Sequence, residues 1–245
     1  MNQNLLDLGP MYKRVLLKVS GEQLAGKYEH GIDPELCSWL AGEIKKVTKE
    51  TGTQVVIMVG GGNLVRGADI AGHGVQRVTA DHMGMLATMI NALALTDIFE
   101  SEGITTRCLS SIFADQVAEP FVYRLAEKHL DKGRVVIAAG GIGRPYITTD
   151  TAAVSLALEL GCELVMKATK YNGVFDSDPA KSASAKKYDT LSFQQAIENP
   201  EIKVMDKAAL GMAMDYNLTT VIFDTMKAGN ILGVVQGKAI GTKVS

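Results

Sequence analysis

Five short runs, at 15–19, 55–59, 135–139, 164–166 and 220–223, are almost wholly apolar or β-branched, and 105–109 is a weaker sixth. Between them lie longer segments with apolar residues at helical spacing: 34–50, 79–101, 121–132, 150–160 and 206–216. Strands that alternate with helices predict an α/β fold with a mostly parallel central sheet sandwiched between helices in three layers. Strands buried on both faces carry continuous apolar runs rather than a polar/apolar alternation, which is what these runs show.

With 245 residues, 47% of them hydrophobic, the chain is long enough for one large domain or two lobes that share a sheet. No linker or low-complexity stretch divides it, so residues 1–245 are expected to form a single domain. The polar segment 176–187 reads as a surface loop inside that domain. Net charge is −2, from 25 basic and 27 acidic residues, with no basic stripe, which argues against a nucleic-acid partner. Cys37, Cys108 and Cys162 are odd in number and lack CxxC spacing, so small buried hydrophobes in a reducing compartment are expected. Neither they nor His30, His73, His82 and His129 have metal-ligand spacing. Residues 1–14 lack a basic start followed by an apolar run, and the most apolar stretch, 83–95, is too short to span a bilayer. A cytoplasmic protein without a membrane partner is expected.

Three strands run into unusual loops: Lys18-Val19-Ser20-Gly21, Gly60-Gly61-Gly62-Asn63 with Arg66-Gly67 beyond, and Gly140-Gly141-Ile142-Gly143-Arg144-Pro145 ahead of Thr148-Thr149-Asp150. In a parallel sheet the loops at the carboxyl ends of the strands share one rim and form the ligand crevice. Glycine lets backbone N–H groups approach an anion, and a helix N-terminus adds partial positive charge. One such loop alone is more often a tight turn. Three on one rim, with Lys18 and Arg66, point to phosphate. The P-loop pattern GxxxxGK[ST] is absent, and both partial GxGxxG matches fail at their third glycine, where Val65 and Tyr146 stand.

Lys18 and Lys167 each close an apolar run at equivalent strand ends. Either could snorkel to solvent. As a pair, they suit phosphoryl transfer, which needs alignment and neutralisation of developing charge. Asp150 can cap a helix or orient both lysines. Asp81 has the same capping option, or can accept two hydrogen bonds from a ribose. Asp206 is expected to cap the helix that follows it, and Asp178 to make a turn or touch a nucleotide.

The segments Lys18-Val19-Ser20-Gly21-Glu22, Gly60-Gly61-Gly62-Asn63-Leu64-Val65-Arg66-Gly67, Asp81-His82-Met83-Gly84-Met85-Leu86-Ala87-Thr88, Thr148-Thr149-Asp150, Lys167-Ala168-Thr169-Lys170 and Lys203-Val204-Met205-Asp206 closely resemble the bacterial uridylate kinases of the amino-acid-kinase superfamily. The likeness runs from Tyr12 to the C-terminus. It implies transfer of the γ-phosphoryl group of ATP to UMP, giving UDP and ADP, in pyrimidine nucleotide biosynthesis. It also implies an acceptor-nucleotide part over about 12–160 and an ATP part over about 161–245. ATP contacts are implied at Lys18, Val19, Ser20, Gly21, Gly62, Arg66, Thr169, Phe175 and Asp178. Implied UMP contacts are Gly61, Asp81, Ile142, Gly143, Arg144, Pro145, Tyr146, Ile147, Thr148 and Thr149. Lys18, Asp150 and Lys167 match positions that line the transfer centre. Mg2+ carried with ATP, a homohexamer and inhibition by UTP are implied as well.

The chain departs from the family pattern in places. Ile142 and Arg144 stand where Thr and Asn are usual, and the Asn position helps read the uracil edge. Glu29-His30-Gly31-Ile32-Asp33 replaces a GFGID segment associated with activation by GTP, and Asn172 replaces a common Asp. A kinase of the same superfamily acting on a carboxylate, and a non-catalytic homologue that binds a nucleotide or an oxyanion, are the alternatives.

Overall fold

A computed structural model describes residues 11–66, 74–177, 179–182, 184–202 and 204–245. Asp178, and Gly67, His73 and Lys203 of the segments above, lie outside the described residues. The elements run β1 (Arg14–Val19), α1 (Gly21–Leu24), α2 (Pro34–Thr51), β2 (Gln54–Val59), α3 (Arg77–Ser101), β3 (Thr106–Ser110), β4 (Glu119–Pro120), α4 (Tyr123–Asp131), β5 (Val135–Ala139), α5 (Thr149–Glu159), β6 (Leu164–Thr169), β7 (Val174–Phe175), β8 (Lys187–Tyr188), β9 (Thr190–Leu191), α6 (Phe193–Glu198), α7 (Lys207–Asp215), β10 (Thr220–Asp224), α8 (Asn230–Val235) and β11 (Thr242–Val244). All six apolar runs are strands and all five periodic segments are helices, with ends shifted by a few residues at most. The pieces that periodicity missed are two to six residues long, too short to show a period.

Among the described residues, nine strands form one sheet in the order β4-β3-β5-β2-β1-β6-β10-β11-β9, while β7 and β8 form a separate antiparallel pair. Every pairing in the large sheet is parallel except β10 with β11. Side chains alternate between the two faces of each strand, so each run feeds two cores. Leu17, Ile57, Ile137 and Met166 pack with α2, α3 and α8 on one face. Leu16, Val56, Val136 and Val165 pack with α4, α5, α6 and α7 on the other. Helix α3 is apolar and long enough to cross a membrane by composition, but 44% of its most apolar stretch is buried among the protein's own residues.

Local chemistry sets the helix ends. The Asp33 carboxylate accepts the N–H of Glu35 and Leu36, Pro34 opens α2, and Gly52 closes it at φ 68°. The cap of α5 is Thr148, whose hydroxyl oxygen accepts the N–H of Asp150 and Thr151. Asp150 is therefore not needed as a cap. Asp81 is not one either, because α3 starts four residues earlier. Asp206 does cap α7, accepting the N–H of Ala209.

The first crossover, β1 to β2, carries the chain one way along the sheet. The connection that leaves β6 carries it the opposite way, to β10. Connections leaving neighbouring strands on opposite faces part at their carboxyl ends and open a crevice there. In this sheet that crevice lies between β1 and β6.

Candidate functional site

Lys18 of β1 and Lys167 of β6 are direct partners in the parallel ladder, so their side chains leave the same face of the sheet beside the crevice. Helix α5 covers that face, and its first turn brings Asp150 between them. Lys167 Nζ donates to Asp150 Oδ2 at 2.5 Å, and Lys18 Nζ stands 2.8 Å from Oδ1. The three side chains are only 10–16% exposed. Burial pushes the Asp150 carboxyl up, but the two ammonium groups outweigh it and hold it below the usual carboxylate range. Lys167 is pushed below an ordinary lysine, by burial first and by Lys18 as well, against the pull of Asp150. The result is a buried cluster with one excess positive charge, facing open space.

That space is large. A cavity of about 760 Å³ is lined by Lys18, Ser20, Lys167, Thr169 and Phe175, with Tyr171 set edge-on to Phe175 at 6.3 Å. A second, of about 480 Å³, shares Glu22, Gln23 and Lys170 with it and adds Gly62 and Arg66, the latter ion-paired with Glu22 at 2.9 Å. Ligand sites run about 300–1,000 Å³, so the first is big enough for a nucleoside triphosphate. The side chain of Val19 is buried in the core, which leaves only its backbone facing this rim.

A third cavity, of about 170 Å³, opens on the other side of the glycine loop and is lined by Gly61, Gly62, Asp81, Arg144, Ile147 and Thr149, among others. The Asp81 carboxylate accepts the Tyr146 N–H and the Arg77 Nε–H, both at 2.8 Å. Those bonds and Arg77 hold it below the ordinary range despite its partial burial, which works the other way. Ile142, Gly143 and Arg144 line a fourth cavity of about 550 Å³ with Phe113 and Leu86. Tyr146 is exposed and lies under the Arg77 guanidinium at 5.3 Å, and Pro145 stands outside these cavities. The Thr148 hydroxyl donates to Asp206, whose other oxygen accepts from Thr151 Oγ1 at 2.7 Å.

The glycines do more packing than their motif suggests. A Cβ on Gly21 would sit 2.6 Å from Asn63 Oδ1 and 2.7 Å from the Gly60 oxygen, and one on Gly61 would sit 2.7 Å from the Gly84 oxygen. Below the loop, Asn91 Nδ2 donates to the Gly60 carbonyl at 2.7 Å and the Asn63 and Asn91 carboxamides bond to each other. Thr88 Oγ1 accepts the Gly140 N–H at 2.8 Å and so ties the third loop to the same helix, α3. Reading the sequence for charges missed these buried amides. Their signal was two polar residues, Thr88 and Asn91, inside the most apolar stretch of the chain. Gln23 was missed too: its Oε1 accepts the Ser20 N–H at 3.3 Å, while Nε2 is buried with no partner among the described residues.

The arrangement resembles known proteins throughout. The amino acid kinase family matches residues 13–224. A UMP kinase structure from Bacillus anthracis shares 37% identity over 96% of this chain and 96% of its own, with a TM-score of 0.91. A UMP kinase structure from Ureaplasma parvum shares 33% identity over 95% and 98%, with a TM-score of 0.88. A uridylate kinase structure from Archaeoglobus fulgidus shares 28% over 94% and 99%, with a TM-score of 0.74.

Proposed function

This chain belongs to the amino acid kinase family, and we propose that it transfers the γ-phosphoryl group of ATP to UMP, giving UDP and ADP. The observation that carries this reading is the Lys18–Asp150–Lys167 cluster, placed where the crevice and a triphosphate-sized cavity meet. Likeness to UMP kinases over nearly the whole chain supports UMP as the acceptor.

ATP lies in the two cavities of about 760 and 480 Å³, its phosphates toward Lys18, Ser20 and the Gly62 backbone and its base toward Thr169 and Phe175. UMP lies beyond Gly61, with Asp81 accepting from its ribose and its phosphate near Thr149. The ATP part is thus mostly 161–245, and the acceptor part mostly 12–160. A UMP phosphate oxygen attacks the γ-phosphorus in line, the bond to the β-bridging oxygen breaks, and ADP leaves with that electron pair. A phosphate monoester is already an anionic nucleophile at neutral pH, so no general base is required. Lys18 and Lys167 lie where charge builds on the transferred group. Asp150 keeps both ammonium groups in place and is a positioning residue, because its oxygens already face them.

Those oxygens are therefore poorly placed to build a metal cage, which fits a Mg2+ that arrives on the ATP phosphates and neutralises their charge. Assembly into a homohexamer is part of the same reading. Ile90 and Val117 are 54% and 55% exposed, apolar side chains suited to contact between copies. A cytoplasmic site, where thiols such as the buried, unpaired Cys37, Cys108 and Cys162 stay reduced, completes it.

The test is an ADP-release assay with ATP against UMP and a panel of amino-acid carboxylates. Turnover with UMP is the expected outcome. Turnover with a carboxylate alone, or tight ATP binding without turnover, would remove the reading.

A further inference from the structure

The cavity against Asp81 is too small for a whole nucleotide: about 170 Å³ against the several hundred that such ligands fill. The remainder must lie next door. Arg144 lines both this cavity and the one of about 550 Å³ beside it, so it stands at their junction. The neighbouring cavity has apolar walls, Leu86, Ile112, Phe113 and Ile142, suited to the faces of a planar base. With the acceptor's phosphate toward Thr149 and its ribose at Asp81, the base falls into this cavity and its edge meets Arg144.

The loop that carries Arg144 is tightly held. Gly140, Gly141 and Gly143 all have φ between 57° and 76°, and a Cβ on Gly143 would sit 2.8 Å from the Ser111 carbonyl oxygen. Arg77 and Arg66 are engaged by carboxylates, at 2.8 and 2.9 Å. Arg144 makes no hydrogen bond or ion pair among the described residues, so its guanidinium is free for a ligand.

A guanidinium only donates, through a rigid planar fork that matches two adjacent acceptors. Guanine is read this way through O6 and N7. Among pyrimidines, cytosine offers such a pair in O2 and N3. In uracil, N3 carries a hydrogen and opposes the fork, leaving one carbonyl at a time to accept. We infer that Arg144 adapts the acceptor site to cytosine as well as uracil, so that the enzyme phosphorylates CMP alongside UMP. A CMP phosphate oxygen forms the new bond to the γ-phosphorus, the bond to the β-bridging oxygen breaks, and CDP and ADP result.

This inference rests on the UMP kinase reading, and one experiment separates the two. Wild type, Arg144→Asn and Arg144→Lys are assayed with saturating ATP and varied UMP or CMP, and thermal melts check that the exposed substitutions leave the fold intact. We expect wild-type kcat/KM for CMP within about tenfold of that for UMP. Losing the charged fork should lower kcat/KM for CMP at least about tenfold more than it lowers that for UMP, in both variants. Turnover of UMP with none of CMP would overturn the inference and leave the UMP reading standing. An equal loss on both substrates would assign Arg144 to the phosphate and also overturn it. Wild type inactive on both would end both readings.

Discussion

Asp150 lies between two ammonium groups, and the imbalance of charge is the useful part. A single lysine would be neutralised by it, but two leave a net positive centre whose geometry is set before any substrate arrives. Lys18→Ala should therefore lower kcat by on the order of a hundredfold or more, with a smaller change in the KM for UMP. Steady-state kinetics on both substrates checks this, and an unchanged kcat would remove Lys18 from the centre. The lowered pKa of Lys167 sets a pH dependence. Its charge is lost as pH rises through a value below the roughly 10.4 of an ordinary lysine, so kcat should fall on an alkaline limb below that value. Arginine stays charged there, so Lys167→Arg should abolish the limb while reducing the plateau. For stability the sign is the reverse. The unfolded chain binds a proton that the buried Lys167 resists, so this group's contribution improves between its folded pKa and about 10.4. Asp150 acts at the other end: its folded pKa is depressed, so its contribution is full above about 3.9 and is lost as pH falls through the folded value.

At the level of helices and loops, the glycine-rich turn after β2 is held from beneath. Asn91 and Thr88 of α3 reach the backbone of two successive loops, so one helix fixes the relation between the β2 and β5 rims. That explains two polar side chains in an apolar helix: each satisfies a backbone group that would otherwise be buried unpaired. Gly61 has α3 directly against it, with Ala87 Cβ 2.8 Å from where its own Cβ would be. Gly61→Ala should therefore cost about 1–3 kcal/mol by forcing loop and helix apart. A drop in Tm accompanied by a raised KM for the acceptor is the expected pair of results. A melt unchanged from wild type would mean the contact relaxes freely.

Across the molecule, the sheet order places the cluster and the surface places the assembly. Where the connections leaving β1 and β6 diverge, two strand-end lysines become neighbours. On the outside, α3 turns Ile90 to solvent, more than half exposed. A charge there leaves the core untouched. Ile90→Glu should keep the melting transition of the subunit but lower the mass measured by light scattering, provided this face joins copies. Unchanged mass would move the contact elsewhere.

Alternating runs of continuous apolar residues and helical periods can specify only a layered parallel sheet, because each strand must be covered on both faces. The same reasoning from charges in strand ends and glycines in turns marked Lys18, Lys167, Asp150 and the three loops, since a local pattern carries its own chemistry. Pairings between distant residues are another matter. That Lys18 faces Lys167 in register, that Thr148 rather than Asp150 caps α5, and that Asn63 and Asn91 close on each other depend on strand order and helix packing. These contacts join residues up to 149 positions apart, since Lys18 and Lys167 meet across the sheet. No local pattern encodes which of several similar strands will be neighbours. That choice is made when the two hydrophobic faces are buried together.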